Sequence, residues 1–375
     1  MIENNFVIDA AVHAFDFSNE NRVRSYPPDK FQDVQNFWHQ VIHASLESPE
    51  PGYLLSFEEF TKRWQAEDLA HALFVESDLD MVVAHSVQIS AVLQNGPSPW
   101  DAHVELKRLA PDRVLLYAEV DTFAEDKSAL FDHMEKRVSQ GAVGFKFYPS
   151  NGMFDIKSNK MVSMFYDDPE NAYKLFEKAR ELGVKHVAFH KAQPVGPGPS
   201  DVVNVQDIST AAAVFPDMTF EVVHTGWAFL EDSALQMQMH PNVYANLEST
   251  MGLVVRQPRR FAHIIGKLLQ YGKPEQLLFS SGCVLNHPDP IIKAFIAFEM
   301  PEDLREGYEY PELTLEIKKK ILGENMARIH GIDIEQIKNR IKNDRWSRLK
   351  AKGKAEPWSS HRARIGSVNK IASRR

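Results

Sequence analysis

The feature that most constrains this fold is an alternation of short apolar segments with longer helical ones. Eight segments are rich in β-branched and aromatic residues, and the intervals between them mostly fit a helix. These segments are FVIDAAVH, MVVAHSV, RVLLYAEVD, GAVGFKFYP, KHVAFHKA, MTFEVVHTG, NVYANLEST and QLLFSSGC. Eight strand–helix units in about 330 residues predict an α/β protein, a single (β/α)8 TIM barrel over residues 1–333, rather than a doubly wound sheet.

The interval between the first two predicted strands is much longer than the others. Residues 17–75 are rich in aromatic side chains and include the amphipathic stretch SFEEFTKRW. This interval is too long for an ordinary loop, so it predicts a helical insertion. The insertion is either a lid over the carboxyl ends of the strands or a peripheral helical layer.

The C-terminal extension, residues 334–375, differs in charge from the barrel. From Glu335 onward there are thirteen Lys or Arg against three Asp or Glu, a net charge of about +10. Because the whole chain has a net charge of −8, the residues before Glu335 carry about −18. Such a segment forms no core of its own and is expected to become ordered only against another surface. We expect that surface in a second subunit of a homo- or hetero-oligomer; nucleic acid is a weaker alternative, because the barrel shows no basic face.

The compartment is indicated by cysteine content and hydropathy. The one cysteine, Cys283, excludes an intramolecular disulfide and suits a reducing cytoplasm. No basic region followed by an apolar run opens the sequence, and no apolar run of about 20 residues occurs. We therefore expect a cytoplasmic protein with no membrane crossing.

Polar residues gather where the predicted strands end, which in a barrel is the face that holds catalytic groups. They are His13, His85, Lys146, His190, His224 and Glu248, followed by Cys283 and His287. Histidine nitrogens with a carboxylate suit divalent Zn, Mn or Fe. The sequence therefore predicts metal ligands at His13, His190, His224 and Glu248. No GxGxxG, GxxxxGK[ST] or GxSxG motif points to a nucleotide or a serine-hydrolase site.

Catalytic roles are predicted for His224, which is also a predicted ligand, and for Lys146 and His287, which each have an alternative. Lys146 is a site cation, a lysine carboxylated by carbon dioxide, or the partner of a barrel carboxylate. His287 precedes a proline and can also be a loop histidine without chemistry, and His85 can be structural. The Pro- and Gly-rich loop 193–198 (QPVGPG) directly follows His190 and is expected to hold a defined shape over the site.

These residues together resemble a known family. The order of strand-end groups, the GFKFYP segment and the closing ILGENMARIHGI are similar to amidohydrolase-related metal-dependent barrels that include aminocarboxymuconate semialdehyde decarboxylase. The resemblance covers residues 6–333. It implies a first-strand ligand at His13, a fifth-strand ligand at His190 and a sixth-strand histidine at His224.

Two positions depart from the family pattern. Its first-strand Asp-x-His-x-His has Ala11 in place of the first histidine, and its eighth-strand aspartate falls on Gly282. Asp9 matches the family aspartate and is expected to be structural or to support the ligands. The altered pattern resembles a divergent subgroup that includes 2-aminoisobutyrate hydroxylase subunits and a diterpenoid-pathway monooxygenase.

That resemblance implies a non-haem dinuclear Fe/Fe or Mn/Fe hydroxylase, which uses dioxygen on a small amino or carboxylic acid. It also implies two divalent metals per chain. The alternatives are a Zn- or Mn-dependent hydrolase or decarboxylase, and a non-catalytic partner subunit of an active homologue.

Overall fold

The computed structural model describes residues 5–122, 126–155, 160–194, 200–353 and 355–372. Eight parallel strands form one sheet, and each lies on a segment predicted from the sequence. Their bounds are β1 Ile8–Val12, β2 Met81–His85, β3 Val114–Glu119, β4 Ala142–Phe147, β5 His186–His190, β6 Thr219–Val223, β7 Val243–Asn246 and β8 Leu277–Leu278. The prediction of an α/β TIM barrel is confirmed.

Each strand pairs in parallel with the next strand along the chain, from β1 to β8. The segment after β8 then returns to β1. The Ala10 N–H donates to the Phe279 carbonyl at 2.8 Å, and the Gly282 N–H donates to the Ala11 carbonyl at 3.1 Å. Ser281 donates its N–H and its hydroxyl to the Asp9 carboxylate. These bonds close the barrel and give Asp9 the structural role expected of it.

Helices cover the outside of the barrel. The α-helices are Pro28–Asn36, Ala44–Leu46, Phe57–Thr61, Ala66–Phe74, Trp100–Leu109, Lys127–Ser139, Ala172–Glu181, Gln206–Val214, Leu230–Met239, Leu253–Arg256, Pro258–Tyr271, Pro288–Ala297, Glu302–Tyr308, Leu315–Lys319, Asn325–Ile329, Ile334–Ile341, Arg345–Lys350 and Ser359–Ala372. Wider π-helical turns span Phe37–His43 and Lys320–Glu324, and 3₁₀ turns span Asn19–Asn21, Asp201–Val203 and Pro274–Gln276. None of these helices, within the described residues, is long and apolar enough to cross a bilayer.

An antiparallel hairpin between β4 and the next helix was not predicted. Its strands are Ser150–Asp155 and Lys160–Ser163. It lengthens the connection after β4 on the same side of the barrel as the predicted catalytic groups.

The basic extension packs against the barrel of its own chain. Trp346 and Trp358 are each 1% exposed, so both indoles lie within the core. Ion pairs join the two surfaces, and they are Arg113–Asp344, Arg345–Glu67, Lys350–Asp78, Arg362–Glu59 and Arg364–Asp68. The acidic surface against which this segment is ordered therefore belongs to the same chain. The formation of an oligomer through the extension stays a prediction. Residues 354 and 373–375 lie outside the described residues.

Candidate metal centre

Three of the predicted ligands, His13, His190 and His224, lie at the carboxyl ends of β1, β5 and β6, and each has one ring nitrogen facing a backbone carbonyl. His13 Nδ1 lies 2.9 Å from the His85 carbonyl, and His190 Nε2 lies 2.7 Å from the Gln193 carbonyl. His224 Nδ1 lies 3.3 Å from the carbonyl of Glu248. A carbonyl oxygen only accepts, so each of these nitrogens carries the hydrogen. The opposite nitrogens of His190 and His224 are then the ones with a lone pair available to a ligand, whereas His13 Nε2 faces Glu248.

The free nitrogens of two histidines face each other. His190 Nδ1 and His224 Nε2 are 3.0 Å apart. Two lone pairs at that distance repel unless a proton or a cation lies between them. A divalent cation held by both nitrogens would remove this repulsion.

Glu248 completes the group from the end of β7. Its Oε1 accepts from His13 Nε2 at 2.9 Å, and its Oε2 is 4.0 Å from His224 Nε2. Within the described part of the chain, Oε2 has no hydrogen-bond partner although it is buried. Burial raises the pKa of Glu248, but the interactions of its carboxylate with His13 and Lys146 outweigh burial and hold that pKa well below its usual range.

The backbone at two of these strand ends is left-handed. His224 has a φ of 69° and Ser249, next to Glu248, has a φ of 63°. This conformation is uncommon for residues other than glycine and is concentrated at functional sites. It turns the His224 ring back toward Glu248 and His190. Burial also lowers the pKa of His224 to about 4, so the ring is neutral, as a ligand must be.

Lys146, at the end of β4, is the buried cation of the site. Its side chain is 1% exposed, and its Nζ has no hydrogen-bond partner among the described residues. The Nζ lies 5.4 Å from the centre of the Tyr148 ring, which in turn stacks on His190. Burial lowers the pKa of Lys146 to about 8. The ammonium group is therefore charged at neutral pH but close to titration.

A narrow cavity of about 20 Å³ opens beside the histidines. Its walls are mostly aromatic or aliphatic, and the insertion contributes three of them; the lining residues are His13, Phe15, Phe37, Trp38, Ile42, Tyr148, His190, Gln193, Pro194, His224, Glu248 and Leu285. Ligand pockets usually enclose about 300 Å³ or more, so these side chains must move to admit a substrate. Residues 195–198 of the predicted loop 193–198 lie outside the described residues.

The predicted ligands fit a divalent metal in kind and in burial. In the described residues, however, no three His, Cys, Asp or Glu side chains direct their ligand atoms at a common point. His13 and Glu248 pair with each other, as do His190 and His224. Binding of an ion by the whole set therefore requires small side-chain rotations, chiefly of Glu248.

His287 is not brought into this cluster. Its Nε2 lies 3.2 Å from Glu76 Oε2, and its Nδ1 accepts from the Asp289 N–H at the start of a helix. Its ring also packs edge-on against Tyr53 and Trp358. Both nitrogens are occupied, so the structure places His287 in the anchorage of the extension rather than beside the catalytic groups.

Sequence reasoning missed three residues that hold the ligands. Tyr148 stacks on His190 with 4.7 Å between ring centres, and Gln193 accepts from the same ring through its carbonyl. The Ser249 hydroxyl lies 3.3 Å from His224 Nδ1. All three directly follow strand-end ligands or Lys146 in the chain, and that proximity was the available signal.

The comparisons with known proteins show the family of this chain and its fold. A family model described as amidohydrolase matches residues 99–332. The chain belongs to the amidohydrolase family. No curated protein matches this amidohydrolase.

Solved structures share the amidohydrolase's fold at low identity. An uncharacterized TIM-barrel protein from Bordetella bronchiseptica is 16% identical with a TM-score of 0.59, over 87% of this chain and 98% of that one. A probable 2-pyrone-4,6-dicarboxylic acid hydrolase from Acinetobacter baumannii is 12% identical with a TM-score of 0.51, over 87% and 99%. A 5-carboxyvanillate decarboxylase from Novosphingobium aromaticivorans, with bound manganese, is 12% identical with a TM-score of 0.52, over 88% and 98%.

Proposed function

We propose that this amidohydrolase is a divalent-metal-dependent enzyme that decarboxylates or hydrolyses a small carboxylic acid. The observation that carries the proposal is the pair of imidazole lone pairs of His190 and His224, 3.0 Å apart and fixed by carbonyls on their far sides. Glu248, with an unbonded buried oxygen, and His13 would complete the ligand set. Structural neighbours named as manganese-bound decarboxylases support Mn²⁺ as the first metal to test.

A bound divalent ion supplies a Lewis acid that polarises an oxygen of the substrate. The chain's own residues supply the surroundings. Lys146 provides a buried positive charge beside the Tyr148 ring, which lines the cavity. Phe15, Trp38 and Leu285 exclude water from the cavity. Loss of carbon dioxide needs no activated water, so these dry walls favour decarboxylation over hydrolysis.

A dioxygen-dependent hydroxylase is the second candidate, and the ligand set favours it. Two histidines and one carboxylate with open positions are the usual ligands of non-haem Fe(II) oxygenases. His190, His224 and Glu248 are such a set, and His13 adds a further nitrogen for a second Fe or Mn ion. The comparisons support the decarboxylase or hydrolase more directly, because the named neighbours carry out those reactions.

Metal content separates these functions. Protein expressed with Fe, Mn and Zn available is analysed for metals and then assayed on a panel of small carboxylic acids for carbon dioxide release, hydrolysis and dioxygen uptake. One Mn or Zn per chain with carbon dioxide release or hydrolysis supports the first candidate. Two Fe or Mn per chain with dioxygen uptake supports the second. A chain that holds no metal overturns both and leaves the non-catalytic partner subunit.

A further inference from the structure

The geometry points to Gly282, four residues after β8, as the residue that positions the Glu248 carboxylate by leaving room for it. A Cβ built on Gly282 would lie 3.0 Å from Glu248 Cγ and 3.1 Å from its Oε1. Real Cβ atoms rarely come so close, so any side chain at this position requires the Glu248 carboxylate to move. The inference rests on the proposed role of Glu248 as a metal ligand.

The backbone of Gly282 is fixed in place. Its N–H donates to the Ala11 carbonyl at 3.1 Å, and its carbonyl accepts from the Leu285 N–H at 2.8 Å. Its neighbour Ser281 is held by the Asp9 carboxylate. Because these bonds belong to the closure of the barrel, position 282 cannot retreat without disturbing the junction of β1 and β8.

The Glu248 side chain is confined from its other side. It is buried, and His13 bonds its Oε1 at 2.9 Å while His13 is itself held by the His85 carbonyl. A methyl group at position 282 would therefore push the carboxylate off its bond to His13 by a few tenths of an ångström. Ligand geometry tolerates little displacement, so metal affinity should fall.

The same geometry implies that a single carboxylate fits here, and that it can come from either strand end. An aspartate at position 282 would project into the space that Glu248 now fills. The φ of Gly282 is +68°, a left-handed value that Asp tolerates better than most residues. Glu248→Ala together with Gly282→Asp should therefore rebuild an acidic ligand from the β8 side.

The experiment measures Mn²⁺ binding by calorimetry and the thermal unfolding of the metal-free protein. Gly282→Ala should bind Mn²⁺ about 10- to 100-fold more weakly than wild type while still folding. Gly331→Ala is the matched control for backbone strain, since Gly331 has a φ of +62° and nothing within 4 Å of a built Cβ. It should leave Mn²⁺ affinity unchanged.

The double variants test the contact itself. Gly282→Ala should lower the unfolding temperature more than Gly331→Ala does. In the double variant Glu248→Ala with Gly282→Ala, this additional lowering should disappear, because the atoms that clash with the new methyl group are gone. Glu248→Ala with Gly282→Asp should bind Mn²⁺ more tightly than Glu248→Ala alone. The inference would be overturned if Gly282→Ala bound Mn²⁺ as tightly as wild type. It would also be overturned if Glu248→Ala did not relieve the additional lowering of the unfolding temperature. If wild type itself binds no Mn²⁺, the proposed function fails, and the unfolding cycle alone decides the role of Gly282.

Discussion

Two buried glutamates, Glu76 and Glu248, differ in how completely their oxygens are bonded. Their side chains are 1% and 3% exposed, and each lies beside a histidine. At Glu248, His13 bonds one oxygen, and the other has no partner in the described residues. At Glu76, His71 Nδ1 lies 2.8 Å from Oε1 and His287 Nε2 lies 3.2 Å from Oε2.

The C-terminal extension completes the bonds of Glu76. The Trp358 N–H donates to Oε2 at 2.7 Å, and Ser359 donates its N–H and hydroxyl to Oε1 at 2.9 and 2.7 Å. A buried carboxylate is stabilising only when its lone pairs are met in this way. The comparison therefore separates a fully bonded carboxylate from one with an unbonded oxygen, as the proposed metal ligand requires.

The largest expected effect is at the histidines beside Glu248. His190→Ala and His224→Ala should each abolish activity and lower bound metal while the barrel stays folded, because a lost ligand removes affinity and the site lies above the packed core. Elemental analysis and circular dichroism check this. His240→Ala is the control, since among the described residues that ring bonds Ser209 on the helical layer and no group of the site. Full metal retention by both ligand variants would remove them from the ligand list.

Removal of the C-terminal extension should have the next largest effect, a loss of stability around Glu76. Truncation after Asp333 exposes the surfaces covered by Trp346 and Trp358 and leaves Glu76 without three of its donors. Loss of a buried tryptophan alone typically costs 3–5 kcal/mol of unfolding free energy, so we expect a destabilised chain. The oligomer expected through the extension should also dissociate. An unchanged mass by light scattering would contradict the oligomer prediction, and an unchanged unfolding free energy would contradict the packing.

Matched substitutions test the comparison directly. Glu76→Gln should lower the unfolding free energy by about 3 kcal/mol, since it removes the charge that its donors surround. Glu248→Gln should change stability less but weaken metal binding.

If the enzyme is a dinuclear hydroxylase, Glu248→Gln should also lose one metal per chain and uncouple dioxygen uptake from product. Turnover with a full metal complement and no dioxygen uptake would instead support the decarboxylase or hydrolase. Equal loss of unfolding free energy in Glu76→Gln and Glu248→Gln would contradict the distinction drawn between the two carboxylates.

The sequence predicted the barrel and most of its site because both depend on local pattern. Apolar segments that end in histidine place His13, His190 and His224 at one face once the strands are parallel. The role of His287 was less predictable, because it depends on Glu76 and on Trp358, which are distant in sequence. The same holds for the extension: its charge predicted a need for an acidic surface, but charge alone does not distinguish the chain's own barrel from another subunit.

The pocket shape was also beyond the sequence. Phe37, Trp38 and Ile42 line the cavity from a π-helical turn that no sequence pattern indicated. The steric relation between Gly282 and Glu248 depends on how β7 and β8 end, and a one-residue shift would remove it. Such contacts arise from backbone detail that hydrophobic periodicity does not encode.

The smallest expected effect is the dependence of stability on acid pH at Glu76. Burial raises the pKa of Glu76, but hydrogen bonds from His287 and His71 outweigh it and lower the pKa to about 2, below the ordinary 4.5. The unfolded chain therefore takes up this proton first, so the stabilisation is present above about pH 4.5 and is lost as the pH falls toward 2. Urea unfolding between pH 5.5 and 2.5 should show a steep loss in wild type and a shallower one in Glu76→Gln. Glu306→Gln, at an exposed position, should follow wild type. Equal slopes in wild type and Glu76→Gln would mean that this carboxylate does not set the acid sensitivity, and that its bonds to the extension stabilise the fold less than their number suggests.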